Sequence, residues 1–552
     1  MILAEVIYIL TVIFLIASVV LHVLDMFSHP AIPAYIIAGV LSSIFIPQKE
    51  IMILAEIGIA FLVFIFGVKL DPERIESVAK ESQLATSIQV LVVGITAYSL
   101  AKLMGYSHLD SLFFTVAASL SSSLVGMRLI ESEMYLDLIH GRLAESIQLV
   151  QDMIAIVAVL TLTLTTFNPT TVLGTIIDGF TLIIIGLLIR WYIFDFIADL
   201  TDGSRELLML VSISFLTGFV GIAQYMGISI VAGSFAAGLA VAKFPHNIEI
   251  VDTTGSLKDF FSAIFFIGLG ALVSYPTPRV LLTATVLFLL VGALKPMVTA
   301  ISLMLQGFDD RTAYLTGFNL DQISEFSLII AIEAHIAGTL SDPLFHSVVM
   351  AATASMITSS YTSKHENQIY RLLSGLNLIS STRRKIENKI NVTEFEDHVG
   401  VVGYGTEGKR VIEALKEEGQ EFVVIENDPE KISEIKEKEE HYVFGDIMDQ
   451  KTWNIAQLDE AKLVVSSVPN REVSSRMLDM ADDTDLILGA TDPEHASELV
   501  RKDATYVYYP EIMSSELIVE HVEGVLENED YRDELREDSL REIRRYIEAD
   551  EG

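Results

Sequence analysis

Thirteen apolar stretches fill the first two thirds of this 552-residue chain, and they constrain its fold more than any other feature. They run roughly 2–25, 33–48, 52–69, 84–103, 109–130, 143–167, 171–197, 206–224, 226–243, 256–273, 279–304, 310–335 and 341–362. A bilayer core about 30 Å thick is crossed by about 20 apolar residues in an α-helix, whose internal hydrogen bonds satisfy the backbone. The stretches are therefore predicted as transmembrane helices. From residue 363 the chain becomes charged, which predicts a separate soluble part. The expected division is a transmembrane domain over 1–362, a linker over 363–397, an α/β domain over 398–522 and an acidic tail over 523–552. The linker carries Arg383, Arg384 and Lys385 and is expected along the inner membrane surface.

The basic residues orient the spans. With the C-terminal part in the cytoplasm, inner loops hold Lys69, Arg74, Lys80, Arg128, Arg142, Arg190, Arg205, Lys243, Lys258 and Arg311. Outer ends hold Lys49, Lys102 and Arg279. Ten against three agrees with the positive-inside bias and predicts thirteen spans with an external N-terminus. The first run, Ile2 to Leu24, is long enough to span and has no basic flank before it, so a retained helix is expected rather than a cleaved leader. A net charge of −36 argues against a nucleic-acid partner. With no cysteine, disulfides, thiolate metal sites and cysteine nucleophiles are excluded.

Asp152 is the leading candidate for chemistry within the spans. It lies ten residues past Arg142, which at about 1.5 Å per residue puts it about 15 Å into the membrane. An ionised carboxylate at that depth is costly unless it is hydrated, paired or carrying an ion. A carboxylate that holds either a proton or a monovalent cation, K⁺ or Na⁺, suffices for an antiporter, given alternating access. The bland alternative is a neutral carboxyl joining two helices. Gln148 and Glu145 share the helical face of Asp152, Gln148 as a pathway residue and Glu145 as an inner-mouth carboxylate. Lys295, the second intramembrane charge, is expected to pair with Asp152 or another acid, or else to snorkel to the cytoplasmic interface. Two stretches read as broken helices: Ser119 to Ser123, with Ser121 and Ser122, and Asp321 to Glu325, with Gln322. Interrupted segments in corresponding parts of two halves mark the binding site of inverted-repeat transporters. There, half-helix ends offer carbonyls to a cation, and Asp321 or Glu325 offsets the N-terminal dipoles. The competing reading is a serine-rich packing face.

In the soluble part, Gly403-Tyr404-Gly405-Thr406-Glu407-Gly408 follows an apolar strand and opens an amphipathic helix. The next strand, FVVIE, ends at Glu426, eighteen residues past Gly408. In that context the motif is a Rossmann-type nucleotide signature. The glycines permit a tight turn and close approach of phosphate to the helix N-terminus. Glu426, followed by Asn427, is expected to accept ribose hydroxyls, and its charge speaks against NADPH. Asp446 and Ile447 are expected on the adenine or ribose side, and Ser466 and Ser467 near the phosphate. A dehydrogenase would need a substrate domain, and only membrane helices and a short tail remain, so no enzyme is expected.

On several segments in order, the membrane part resembles the cation:proton antiporter-2 family, which includes Kef-type potassium efflux systems and sodium/proton exchangers. The segments are HPAIPAYIIAGVL (29–41), EIGIAFLVFIFGVKLD (56–71), GRLAESIQLVQDMIAI (141–156), GSFAAGLAVA (233–242), FFSAIFFIGLGALV (260–273) and DQISEFSLII (321–330). The resemblance implies an elevator-like antiporter with a core and a dimerisation domain, and gives Asp152 the ion- and proton-carrying role. The pair Gln151-Asp152 is similar to that of the electroneutral, often potassium-selective branch. Ile323-Ser324 stands where the family has Gly-Gly, and HNIEIVDTTGSLKD (246–259) departs from the Kef-type inhibitory loop, so glutathione gating is not implied. The soluble part resembles the TrkA-N, or RCK, domain of potassium channels and transporters. It implies NAD(H), AMP, ADP or ATP as a regulatory ligand, no catalytic cofactor, and a homodimer through both domains. The expectation is a multi-pass protein of the cell membrane that exchanges K⁺, or Na⁺, for H⁺ under nucleotide control. A nucleotide-gated potassium channel is the runner-up, but the chain has no TVGYG-like filter. A sensor that no longer transports is the third reading, and the intact Asp152 argues against it.

Overall fold

The computed structural model describes residues 2–26, 31–69, 80–129, 139–162, 169–201, 204–243, 246–273, 276–375, 390–391, 397–428, 431–438, 441–448, 450–481, 484–527, 531–532 and 535–536. The chain forms two compact units, Met1–Ser381 and Thr382–Gly552.

The first unit is built of helices: α1 (Ile2–Asp25), α2 (Ala31–Ser42), α3 (Gln48–Lys69), α4 (Lys80–Leu103), α5 (His108–Ser119), α6 (Ser123–Leu129), α7 (Ile139–Leu162), α8 (Pro169–Tyr192), α9 (Phe194–Asp199), α10 (Arg205–Met226), α11 (Ile230–Val241), α12 (His246–Ala271), α13 (Pro278–Leu289), α14 (Lys295–Gln306), α15 (Asp310–Phe318), α16 (Glu325–Ile336), α17 (Asp342–Lys364) and α18 (Glu366–Gly375). A π-helical turn, Leu290–Leu294, joins α13 to α14. Every one of the thirteen apolar stretches carries helix. Among the described residues, four helices are long and apolar enough to cross a membrane on length and composition alone: Ile7–Asp25, Lys80–Leu103, Arg205–Met226 and Pro278–Gln306. Their apolar side chains point outward, as Leu91 and Ile95 do at 61% exposure each. The others are shorter, broken, or carry groups such as Gln148 and Asp152, which a span admits only where protein covers them.

Small residues bring the helices together. A Cβ on Gly39 of α2 would stand 2.0 Å from Ile267 O, and one on Gly270 of α12 would stand 2.0 Å from Ile36 O. Backbones this close gain the dispersion contacts that drive helix association in lipid, where burial of apolar surface does not.

Two helices are interrupted. α5 stops at Ser119, Leu120 turns extended (φ −95°, ψ 146°), and the helix restarts as α6. α15 stops at Phe318, and α16 restarts behind an N-cap at Ser324, whose Oγ accepts the Phe326 N–H at 3.0 Å. These are the fifth and twelfth apolar stretches, and paired interrupted helices of this kind are what inverted-repeat transporters carry at their site.

The second unit is a seven-stranded sheet alternating with helices: β1 (Ile390–Asn391), β2 (Val399–Val402), α19 (Thr406–Glu417), β3 (Phe422–Glu426), α20 (Lys431–Lys438), β4 (Tyr442–Phe444), α21 (Gln450–Ile455), β5 (Leu463–Ser466), α22 (Arg471–Met480), β6 (Asp485–Gly489), α23 (Pro493–Arg501), β7 (Tyr506–Tyr508) and α24 (Pro510–Glu527). The strand order is β1-β4-β3-β2-β5-β6-β7, parallel except for β1 against β4. Helices cover both faces, so β2 and β4 are buried residue by residue and read as unbroken apolar runs. Val399 and Val401 pack with Tyr404 and Ile412 on one face, and Val402, Val423 and Ile425 pack with Trp453 on the other. The order reverses between β2 and β5, which opens a crevice at the C-terminal strand ends. Arg383, Arg384, Lys385 and most of the acidic tail lie outside the described residues.

Candidate functional site

The two helix breaks meet. Ser324 N–H donates to Leu120 O at 3.2 Å, and Ser121 Oγ donates to Leu320 O at 2.9 Å, so each break supplies partners to the other. Glutamines satisfy much of what remains. Gln151 Oε1 accepts the Ser121 N–H at 2.7 Å, Gln151 Nε2 donates to Gln89 Oε1 at 2.8 Å, and Gln89 Nε2 donates to Ser119 O at 3.0 Å. At the second break, Gln322 Nε2 donates to Ser122 O at 3.3 Å and Asn319 O at 3.2 Å, while its Oε1 accepts from Ser359 Oγ at 3.0 Å. The Ile323 N–H donates to Ser355 Oγ at 3.2 Å, and the Val125 N–H to Ser122 Oγ at 3.2 Å. Unwound backbone survives inside a bundle on such terms, because a buried group left unmet costs about 1–3 kcal/mol.

Lys295 is fully buried and does not reach an interface. Its Nζ donates to Gln322 O at 2.7 Å and Leu120 O at 3.1 Å, placing the ammonium on carbonyls of both breaks. The acid whose charge acts on it is the buried Asp321, next to Gln322 in the second break.

Asp152 faces this crossing from α7, 3% exposed. The Ser123 hydroxyl donates to Glu325 Oε1 at 2.8 Å and also meets Asp152, and the two carboxyls lie close enough to repel. Asp152 Oδ1 and both amide atoms of Gln148 are buried without a hydrogen-bond partner among the described residues. Gly126 gives the amides room: a Cβ there would stand 2.0 Å from Gln148 Nε2 and 3.0 Å from Gln322 Nε2. Buried polar atoms with no protein partner among the described residues, beside two carboxyls, are the exception in a folded interior and single this place out from the rest of the crossing. Along α7 the polarity then changes. One and two turns beyond Asp152, Ile156 and Val159 line an apolar pocket with Val231, Phe235 and Phe326. Phe66 seals the seam, edge-on to Phe326 at 4.8 Å between ring centroids.

The crossing thus gathers all ten sequence candidates, but two of them, Gln151 and Gln322, use their amides on the breaks themselves, one end on backbone and the other on a neighbouring side chain. Gln89, Gly126, Asn319, Ser355 and Ser359 were not foreseen. Asn319 is buried with neither amide atom partnered among the described residues. The signal for Gln89 is a polar stripe at helical spacing, Ser82-Thr86-Gln89, within an apolar helix. Ser355 and Ser359 repeat the pattern four residues apart on α17.

In the second unit the glycine turn opens α19 at the switch point. Gly403 holds φ +93°, and a Cβ on Gly408 would stand 2.0 Å from Gly403 O, so neither position takes a side chain without strain. Gly405 is the N-cap of α19 with no side-chain cap bond, which leaves first-turn N–H groups facing the crevice. Glu426 ends β3 as expected. Its Oε2 accepts the Tyr404 N–H at 2.8 Å, and its Oε1 accepts the N–H groups of Asn427 at 2.8 Å and Asp428 at 3.0 Å. Asp446 Oδ1 accepts the Met448 N–H at 2.9 Å, shaping the turn after β4. Ser467 Oγ donates to Val402 O at 3.0 Å beside the glycine turn, whereas Ser466 Oγ turns to its own loop through the Val468 N–H at 3.3 Å. Ile447 packs in the core beneath the sheet and presents no polar group to a ligand. Tyr404 is buried under Lys409, whose Nζ lies 5.0 Å from the ring centroid and donates to Glu434 Oε1 at 2.8 Å. That bond holds the Glu434 carboxyl below its usual range.

A bundle with crossed helix breaks around a buried carboxyl, continued in one chain by a Rossmann-like sheet, is the architecture of a cation/proton antiporter with an appended α/β domain. The family described as "Sodium/hydrogen exchanger, transmembrane" matches residues 10–364, and the chain belongs to it. The TrkA-N domain matches residues 399–510. The combination is that of the Kef-type members of the cation:proton antiporter-2 family, which are transporters. The chain is 24% identical over 471 residues to a putative cation/proton antiporter, YbaL, of Escherichia coli K12, covering 79% of this chain and 82% of that one. It is 22% identical over 466 residues to the glutathione-regulated potassium-efflux system protein KefC of Klebsiella pneumoniae, covering 82% of this chain and 73% of that one. Among solved structures, the sodium proton antiporter MjNhaP1 of Methanocaldococcus jannaschii matches at a TM-score of 0.45 and 14% identity, over 68% of this chain and 99% of that one. The TrkA-N domain of E. coli YbaL matches at a TM-score of 0.23 and 22% identity, over 23% of this chain and 98% of that one.

Proposed function

We propose that this protein exchanges a monovalent cation, K⁺ in preference to Na⁺, for H⁺ on Asp152, under the control of an adenine nucleotide held by its TrkA-N domain. The observation that carries the proposal is the buried Asp152 Oδ1 with no protein partner among the described residues, next to the equally unpartnered Gln148 amide. A cation takes its ligands from Asp152, Gln148, Ser123 and Glu325. A proton on Asp152 removes the charge that holds the cation, so the two alternate. Lys295, on carbonyls of both breaks, keeps the crossing intact while the load changes. The apolar seam of Phe66, Phe235 and Phe326 closes one side of the site, and the half-buried Glu145, on the Asp152 face of α7, stands toward the other. The name of KefC supports K⁺ as the cation. The protein is then a multi-pass protein of the cell membrane with an external N-terminus and a cytoplasmic C-terminal domain.

For the nucleotide, the support is Glu426 at the end of β3 beside the open N-terminus of α19. Ribose hydroxyls replace backbone N–H groups as partners of Glu426, and phosphate takes the α19 amides. A homodimer fits the apolar side chains that α24 exposes, among them Leu517, Ile518, Val519 and Val522, each more than half exposed. In proteoliposomes, an imposed K⁺ gradient should drive proton movement in the wild type and none in Asp152→Asn. Wild-type exchange in Asp152→Asn would refute the assignment.

A further inference from the structure

The crevice over the sheet has two halves. Glu426 marks the β3 half, where an adenosine ribose is held, and a dinucleotide would extend its second nucleoside over the ends of β5 and β6. In this chain a side chain crosses that second half. Tyr508 ends β7, and its ring turns back over the strand ends: a Cβ on Gly489, the last residue of β6, would stand 2.8 Å from Tyr508 Cζ and Oη. At its tip, Tyr508 Oη lies 3.1 Å from Ser466 O at the end of β5 and 3.0 Å from Glu407 Oε2. The phenol shares one proton between these oxygens, and so ties a strand end to the phosphate loop. Burial first, and then the charge of Glu407, push the Tyr508 hydroxyl above its usual range, so it remains a donor.

Glu407 sits in the first turn of α19, beside the N–H groups that meet phosphate. There a carboxylate suits the helix dipole but repels each further phosphate after the first. Nearby cations are already engaged. Lys409 is bound by Glu434 at 2.8 Å, Lys431 lies 3.8 Å from Glu426, and Arg471 lies 3.8 Å from Asp492.

We infer that Tyr508 and Glu407 form a bar across the second half of the crevice, and that this bar selects an adenine nucleotide with a single phosphate over NAD(H), ADP and ATP. The inference rests on the nucleotide-binding reading above and sharpens it. Tyr508 excludes the second nucleoside by occupying its place, and Glu407 excludes the second and third phosphates by charge.

Calorimetric titration of the full-length protein with AMP, NADH and ATP tests both parts, in the wild type, Glu407→Gln, Tyr508→Phe and Tyr508→Ala. The wild type should bind AMP at least about tenfold more tightly than NADH or ATP, the discrimination expected of one well-placed charge or one excluded ring. Glu407→Gln should move the ATP:AMP affinity ratio towards ATP by about tenfold. Tyr508→Ala should move the NADH:AMP ratio towards NADH by a similar factor, and Tyr508→Phe, which keeps the ring, by less. Glu407 is exposed, so its substitution keeps the fold and the test stands even if Tyr508→Ala unfolds. Equal wild-type affinity for AMP and NADH or ATP, or an unmoved ATP:AMP ratio in Glu407→Gln, would overturn the inference alone. A wild type that binds none of the three would sink the nucleotide reading and the inference with it.

Discussion

Alanine at Gly126 separates the ion-site role of Gln148 from simple packing. The added Cβ would stand 2.0 Å from Gln148 Nε2, where ordinary contact begins at about 3.4 Å, so the amide must withdraw by about 1.4 Å. The obstacle is the mobile end of a side chain, and alanine favours a helix over glycine by about 1 kcal/mol, so the fold tolerates the change. The site does not. A displacement of about 1 Å in a positioned group costs up to about 10²-fold, or about 2.7 kcal/mol. Gly126→Ala should therefore raise the half-saturating K⁺ concentration for proton movement by about 10–100-fold. The assay is dequenching of a pH dye in proteoliposomes across a K⁺ series, with the thermal midpoint of the purified protein as a control. Half-saturation equal to wild type, at an equal midpoint, would show that Gln148 only fills space and would refute the donor set assigned to the cation.

Three further outcomes are expected. Gln89→Leu leaves Gln151 Nε2 and Ser119 O without their partner, which should lower stability by about 1–3 kcal/mol for each orphaned group and depress the thermal midpoint; an unchanged midpoint would show that the glutamine relay is dispensable. Glu426→Ala removes the carboxylate that receives ribose hydroxyls and should weaken AMP binding by at least about tenfold in calorimetry, whereas retained affinity would displace the ligand from the β3 half of the crevice. His398 is buried with Nε2 3.0 Å from Ala456 O, and burial holds its pKa below the usual 6.5. Folded protein therefore keeps His398 neutral while unfolded chain takes up a proton, so stability is lost as the pH falls through about 6.5. His398→Gln should flatten that loss, read from the fluorescence of buried Trp453 in a Trp191→Phe background, and an identical acid profile would exclude His398 as its source.

Much of this architecture is legible in the chain because its signals are local. An apolar run the length of a bilayer names a span, and the break at Ser119 to Ser123 shows in four serines within an apolar helix. Gly403, Gly405 and Gly408 sit between a strand and a helix as a phosphate turn must. The partners of the breaks are another matter. Gln89 meets Ser119 from thirty residues away, and Ser359 meets Gln322 from thirty-seven, and nothing in the local pattern announces either contact. Lys295 could be read as snorkelling because depth alone does not say what a long side chain touches, and its carbonyl partners, Leu120 O and Gln322 O, are backbone atoms that no residue type encodes. Ile447 shows the reverse limit: its position just past a strand end suggests a ligand contact, while its apolar side chain packs in the core. The two-residue strand β1 is too short to produce any periodic signal.

The central claim is that a proton and an alkali cation compete for Asp152. It is tested most directly by counting protons. Titrating K⁺ into the purified protein in weakly buffered solution, with a pH indicator present, should release a proton for each cation bound, and Asp152→Asn should neither bind the cation nor release the proton. Cation binding with no proton release, or the same release from Asp152→Asn, would contradict the account.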